Sequence, residues 1–160
     1  MIHYAQFEQW VPFPPEEVFQ FFANPQNLPR IMPPATDTRI DALTLVPPQS
    51  SVREIDATQL AGVGSQIVTS FRLIPALRFR ASWIARITEF EWNRHFADIQ
   101  EKGPFNSFHH RHAFAEEKRE EITGTRLRDR IEYEIVLRRG GRNCTTPICW
   151  SSDGAHLQAP

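Results

Sequence analysis

Little in this chain could supply a disulfide framework or a cysteine-based zinc scaffold. Its 160 residues contain two cysteines, Cys144 and Cys149, and the four-residue spacer between them matches neither a zinc knuckle nor a redox CxxC. Both are read as incidental. No run approaches the roughly 20 apolar residues that span a bilayer, and the N-terminal MIHYAQFEQWVPF lacks a basic region followed by an apolar one, so a cytoplasmic protein without a membrane span is expected. Charge of one sign is missing too: 18 Lys and Arg against 19 Asp and Glu leave a net charge of −1, which gives nucleic acid no reason to bind. There is no phosphate loop, dinucleotide fingerprint or nucleophile motif, which argues against kinase, dehydrogenase and hydrolase chemistry and implies no cofactor. What the chain has in quantity is 12 Phe, 4 Trp and 13 Pro, within a composition that is 41% hydrophobic and 23% charged. Those proportions are globular, and the length suits one core.

Residues 1–11 read as a strand rich in β-formers that stops at Pro12. Pro14 and Pro15 followed by Glu16 and Glu17 suit a helix start, because proline is tolerated in the first turn and carboxylates favour the positive end of the dipole. Val18, Phe19, Phe21 and Phe22 recur on one side of that helix, which ends at Asn24-Pro25; residues 26–32 make a second short helix before Pro33-Pro34. The pattern then turns β. Strands are expected over residues 38–46, 65–74, 77–89, 94–102, 106–116 and 122–137, with a polar loop over 47–62 and a charged hairpin tip over 116–121. Short connections imply an antiparallel meander. Arg78 and Arg80 read as part of a solvated outer face.

The segments FPPEEVFQFFANPQNLPRIMPP, WIARITEFEWNRHFADIQEKGPFNSFHHRHAF and GTRLRDRIEYEI resemble the START-like SRPBCC superfamily, which includes polyketide cyclase/dehydrase-like and birch-pollen-allergen-like proteins. The resemblance covers residues 7–135. It implies an α+β helix-grip fold, a curved antiparallel sheet with two short helices after the first strand, and a ligand cavity between sheet and helices. A START-like domain is thus expected over residues 1–137 and an irregular tail over 138–160. Members of the superfamily close the chain with a long helix across the sheet. Here Gly140-Gly141, Pro147 and Gly154 make that stretch poor helix material, so the helix is expected to be absent or replaced. An uncovered apolar face is seldom tolerated, which makes a homodimer one way of covering it.

Strand alternation sorts the side chains by face. In residues 122–137, Leu127, Asp129, Ile131, Tyr133 and Ile135 share a face opposite Arg126, Arg128, Arg130, Glu132 and Glu134. Asp129 is thus a lone charge in an inward row. The same logic turns Phe96, Asp98 and Gln100 inward, together with Phe108, His110, His112 and Phe114. Buried polar groups need partners, at about 1–3 kcal/mol for each left unsatisfied, so Asp98, Gln100, His110, His112 and Asp129 are expected to form one network or meet a ligand. The bland alternative is that His110 with Asp129, or His112 with Asp98, pair only to complete the interior. Trp83 is read inward and Arg86 outward. A His-x-His pair beside carboxylates admits a metal, but no third ligand has a fixed spacing, and none is assigned.

Three functions follow. The first is binding of a small hydrophobic molecule (lipid, polyketide, quinone or aromatic) against Phe19, Phe22, Phe71, Trp83, Phe96, Phe108, Phe114 and Tyr133, with Asp98 and Gln100 as polar contacts. The second is a cyclase or dehydratase in which His110 or His112 moves a proton and Asp129 orients the imidazole. The third is an interaction domain whose sheet a partner chain completes.

Overall fold

In the computed structural model, residues 1–48, 57–72, 74 and 79–135 are described. Alternating inward and outward side chains produce seven strands: β1 (Ile2–Val11), β2 (Arg39–Thr44), β3 (Gln66–Phe71), β4 (Ala81–Glu91), β5 (His95–Lys102), β6 (Phe105–Arg119) and β7 (Ile122–Ile135). They form one antiparallel sheet in the order β1-β7-β6-β5-β4-β3-β2. Strands β2 to β7 are a meander. β1 joins the opposite edge beside β7, so the segment between β1 and β2 must cross from one edge to the other, and it carries the helices. The architecture is the α+β helix-grip fold, with its sheet curved around the helical side. Register shifts in β2, β4, β5 and β6 bend the strands locally.

Helix α1 (Pro15–Ala23) starts as its prolines and glutamates require and ends at Asn24, whose extended backbone precedes Pro25. The Asn24 Oδ1 accepts the Gln26 N–H at 3.0 Å, and Asn27 Nδ2 donates to Phe21 O at 2.9 Å, pinning the turn into α2 (Leu28–Ile31). α1 presents Phe19 to the sheet. Its ring is fully buried and meets Phe90, Trp92, Phe96 and Phe114 edge-on, at centroid separations of 5.1 to 5.9 Å. Val11, Val18, Ala23, Leu60, Ile87 and Leu127 complete this core. Burying a phenylalanine of this kind contributes about 1.5–3 kcal/mol.

On the convex side, the Trp10 indole packs over Gly124 and its Nε1 donates to Glu117 O at 3.1 Å; any β-carbon at Gly124 would collide with that ring and with the Val11 backbone. Trp83 faces inward and Arg86 outward, where it pairs with Glu101 at 2.9 Å.

Two details correct the sequence reading. Arg80 is not a solvated outer residue: it donates to both Asp37 Oδ2 (2.8 Å) and Asp37 O (2.5 Å), and to Ser70 O (2.8 Å), clamping the entrance of β2 to β3. The charged run is mostly strand, because β6 continues to Arg119 and only Glu120 and Glu121 form the turn. The expected tail, the fate of the closing helix, the Pro75-Ala76 connection, Arg78 and half of the 47–62 loop (49–56) lie outside the described residues. Among the described residues no helix is long and apolar enough to cross a membrane.

Candidate functional site

Antiparallel register determines which inward residues meet. It sets Asp98 of β5 opposite His110 of β6, and His112 of β6 opposite Asp129 of β7, in the middle of the concave face. The His112 Nδ1 and Asp129 Oδ1 are hydrogen-bonded, and His110 Nε2 lies 3.6 Å from the same oxygen. The two imidazole rings are 4.0 Å apart between centroids. Of the two pairings that alternation allowed, His110 with Asp129 or His112 with Asp98, the first is present as the 3.6 Å contact, but the hydrogen bond to Asp129 comes from His112, and His110 stands between the two carboxylates.

The electrostatics follow from this crowding. Burial alone would raise the Asp129 pKa, but the adjoining His112 and His110 overcome it and hold the carboxyl well below the usual carboxylate range. Asp129 is therefore ionised at neutral pH. An anion against Nδ1 favours the Nδ1–H tautomer and leaves Nε2 of His112 with the lone pair. Asp98 goes the other way. Burial pushes its pKa up to about 6, offset in part by His110 and reinforced by the negative charge of Asp129. Two carboxyls on one face thus have different proton affinities. His110 Nε2 is buried and makes no hydrogen bond among the described residues.

Aromatic rings flank the polar cluster on both sides. Toward α1, His112 contacts Phe96 (4.6 Å between centroids) and Phe22 (5.8 Å). Phe19, Phe96 and Phe114 are buried on that side, where they fill the core, and Phe22 packs against them. Toward the other end of the strands, Trp83 lies edge-on to Phe108 at 4.6 Å, Phe71 lies 6.1 Å from Trp83, and Tyr133 packs on Phe105 at 5.4 Å and on His3 at 5.3 Å. These rings are only half-buried. The aromatic residues expected to line a cavity therefore fall into two groups, and the half-buried group of Phe71, Trp83, Phe108 and Tyr133 is the one with surface to offer.

Gln100 does not join the polar cluster. Its amide donates to Phe105 O at 2.8 Å and accepts the Phe105 N–H at 3.3 Å, closing the turn at Gly103-Pro104. A turn that needed a side-chain clamp claimed it first. Sequence alternation missed Phe105, Phe90 and Trp92. The register slips between Phe105 and Ser107 and between Ile87 and Glu89, and each slip reverses the parity, which brings Phe105 to the concave face and Phe90 to Phe19. The Gly103-Pro104 turn immediately before Phe105 is the available signal.

The convex face carries a recess of about 350 Å³ lined by Arg94, Arg111, Arg128 and Arg130. Each arginine is already committed, to Glu91 (3.3 Å), Glu89 (2.8 Å), Glu8 (3.1 Å) and Glu132 (2.8 Å) respectively. That recess is a neutralised ion-pair lattice, and the unspent polar chemistry lies on the concave side.

Among solved structures, the ginseng major latex-like protein 151 of Panax ginseng is similar at a TM-score of 0.57 and 14% identity, covering 84% of this chain and 80% of that one. Norcoclaurine synthase from Thalictrum flavum is similar at 0.54 and 12%, covering 84% and 70%. The protein TTHA0849 of Thermus thermophilus gives 0.52 and 16%, covering 84% and 76%. At these identities the likeness establishes the fold alone. Among curated proteins nothing matches the chain. The model of one family, described as polyketide cyclase / dehydrase and lipid transport, matches residues 11–141, and with most of its length inside that match the chain belongs to this family.

Proposed function

We propose that the protein binds a small hydrophobic molecule with an aromatic or polycyclic body and at least one oxygen, held on the concave face. The body would lie on Phe71, Trp83, Phe105, Phe108 and Tyr133, and the oxygen would meet His110 and His112. The observation that carries this reading is the half-buried aromatic row running directly into an inward-facing His–Asp cluster. A binding surface needs apolar area still partly wet before the ligand arrives, with a few polar groups to orient it. The family description, which names both cyclases and lipid transport, supports the same class of ligand.

The test uses 1-anilinonaphthalene-8-sulfonate and 1,8-dihydroxyanthraquinone as probes, titrated into the full chain. Saturable binding at one equivalent is expected, weakened about tenfold or more by Trp83→Ala, since an aromatic anchor is worth about a kcal/mol or more. Absence of saturable binding by both probes, with no small molecule retained by the purified protein in native mass spectrometry, refutes the reading.

A second reading, proton transfer on the bound molecule, is favoured by one observation: the ionised Asp129 on His112 Nδ1. Nε2 of His112 would accept a proton from an acidic C–H or O–H of the ligand, and Asp129 would stabilise the imidazolium formed. His112→Gln should then leave probe affinity within a few-fold while stopping conversion of polyketide substrates. An unchanged product profile eliminates catalysis by this residue.

A further inference from the structure

The geometry points to a divalent transition-metal site on the concave face, with Asp98, His110 and His112 as ligands and Asp129 as the carboxylate that orients His112. The inference goes beyond apolar-ligand binding and does not depend on it.

Three independent features support it. First, one ligand atom from each of Asp98, His110 and His112 lies within 4.8 Å of those of the other two. Around an ion with bonds of about 2.0–2.1 Å the donors of a tetrahedron are about 3.3 Å apart, so closure asks for movements of only about an ångström. Second, the three side chains project from adjacent strands in fixed register, with Asp98 opposite His110 and the two histidines alternating along β6, so the site rests on rigid backbone. Third, His110 Nε2 is a buried nitrogen that makes no hydrogen bond among the described residues and has only the 3.6 Å contact with Asp129 Oδ1. Its hydrogen-bonding capacity is unspent, and a bound ion would use it.

The Asp129 contact fits the same reading. A metal-bound histidine commonly has its other ring nitrogen held by a carboxylate, which sets the tautomer and raises the basicity of the ligating nitrogen. Asp129 occupies that position on Nδ1 of His112. Two imidazoles with one carboxylate suit Zn²⁺, Fe²⁺, Co²⁺ or Ni²⁺, whereas Ca²⁺ and Mg²⁺ ask for oxygen ligands. Three protein ligands leave at least one coordination position for water or for an oxygen of a bound molecule.

Full-length protein stripped with a chelator and titrated with Co²⁺ alone tests the proposal through the visible ligand-field absorption of the bound ion. Saturation at one equivalent and displacement by Zn²⁺ are expected. The signal should vanish in the His110→Ala/His112→Ala double variant, and affinity should fall about 10–100-fold in Asp129→Asn, the usual cost of losing such an orienting carboxylate. Thermal melts establish whether each variant is folded. Should the double variant not fold, the unmutated protein decides the matter: Zn²⁺ should move the imidazole ¹⁵N resonances of His110 and His112 and leave that of convex-face His95 in place. Absence of a saturable Co²⁺ spectrum, or a spectrum surviving in the double variant, overturns the assignment, the latter by putting the ion elsewhere, such as on Cys144 and Cys149. Unimpaired binding of the anilinonaphthalene probe beside a failed Co²⁺ titration would overturn the metal site and leave the apolar-ligand reading intact.

Discussion

His112 and Asp129 stand directly opposite one another across the β6–β7 pair and share a hydrogen bond between Nδ1 and Oδ1 on the concave face. Because adjacent strands position both side chains, the pair depends on backbone register more than on a loop. Hydrogen bonds to charged groups contribute about 1.5–3 kcal/mol. Asp129→Ala should therefore lower stability by about 2 kcal/mol in chemical denaturation, and Asp129→Asn by less, since an amide oxygen can still accept from Nδ1–H. The ¹⁵N spectrum of the His112 imidazole should show the Nδ1–H tautomer in the unmutated protein and a mixture in Asp129→Ala. Equal stability of Asp129→Ala and the parent would mean that the bond contributes nothing net.

Phe19 gathers four aromatic partners from β4, β5, β6 and the β4–β5 turn, and is completely buried. Phe19→Ala should cost about 3–5 kcal/mol, the range for removing a large ring from a closed core. Trp83→Ala, at the half-buried end of the same face, should cost clearly less in stability while losing more probe binding. If the two variants were equally destabilised, the division of the face into a packed half and an open half would be wrong.

Much of this was legible in the strand pattern. Along β7, arginines and glutamates alternate with Leu127, Asp129, Ile131 and Tyr133 so regularly that the inward face, and the anomaly of Asp129 within it, can be read without coordinates. The faces of His110 and His112 follow similarly. Alternation assigns a face but no offset between strands, and so the partner of each histidine was out of reach. Bulges defeat it outright: Phe105 and Phe90 change sides because one extra residue reverses the parity. Gln100 has the right parity yet spends its amide on a local turn. The role of Arg80 depends on Asp37, 43 residues away, and nothing local announces it.

That Asp37–Arg80 contact carries its own prediction. Asp37 adopts a left-handed backbone (φ 43°) and holds Arg39 (3.1 Å), Arg72 (3.4 Å) and Arg80 (2.8 Å) around one carboxylate. Although partial burial opposes it, Arg39 and Arg80 lower its pKa from 3.8. A depressed folded-state pKa stabilises above 3.8 and is lost as pH falls through the folded value. Asp37→Asn should flatten the acid limb of the stability profile below about pH 4, and Arg80→Met should do the same. A parent-like acid limb in both variants would show that the clamp is inert.

Asp98 supplies the opposite sign. Its folded pKa of about 6 lies above the ordinary value of 3.8, so the metal-free folded protein holds a proton that the unfolded chain has already released. Between about pH 4 and 6 the folded state binds more protons than the unfolded one, and stability contributed by this group declines as pH rises. Above about 6 the whole penalty for ionising the half-buried carboxyl is present, at most about 3 kcal/mol for a shift of this size. Asp98→Asn removes the charge and keeps the shape. With a chelator present, the variant should therefore gain little over the parent at about pH 4 and about 1–3 kcal/mol at about pH 8, read as a difference in denaturation midpoints at the two pH values. A gain of the same size at both would separate the effect from ionisation and show that the amide is merely better packed. A loss at the higher pH would mean that the Asp98 carboxylate is stabilised by His110 more than it is penalised by burial and by Asp129.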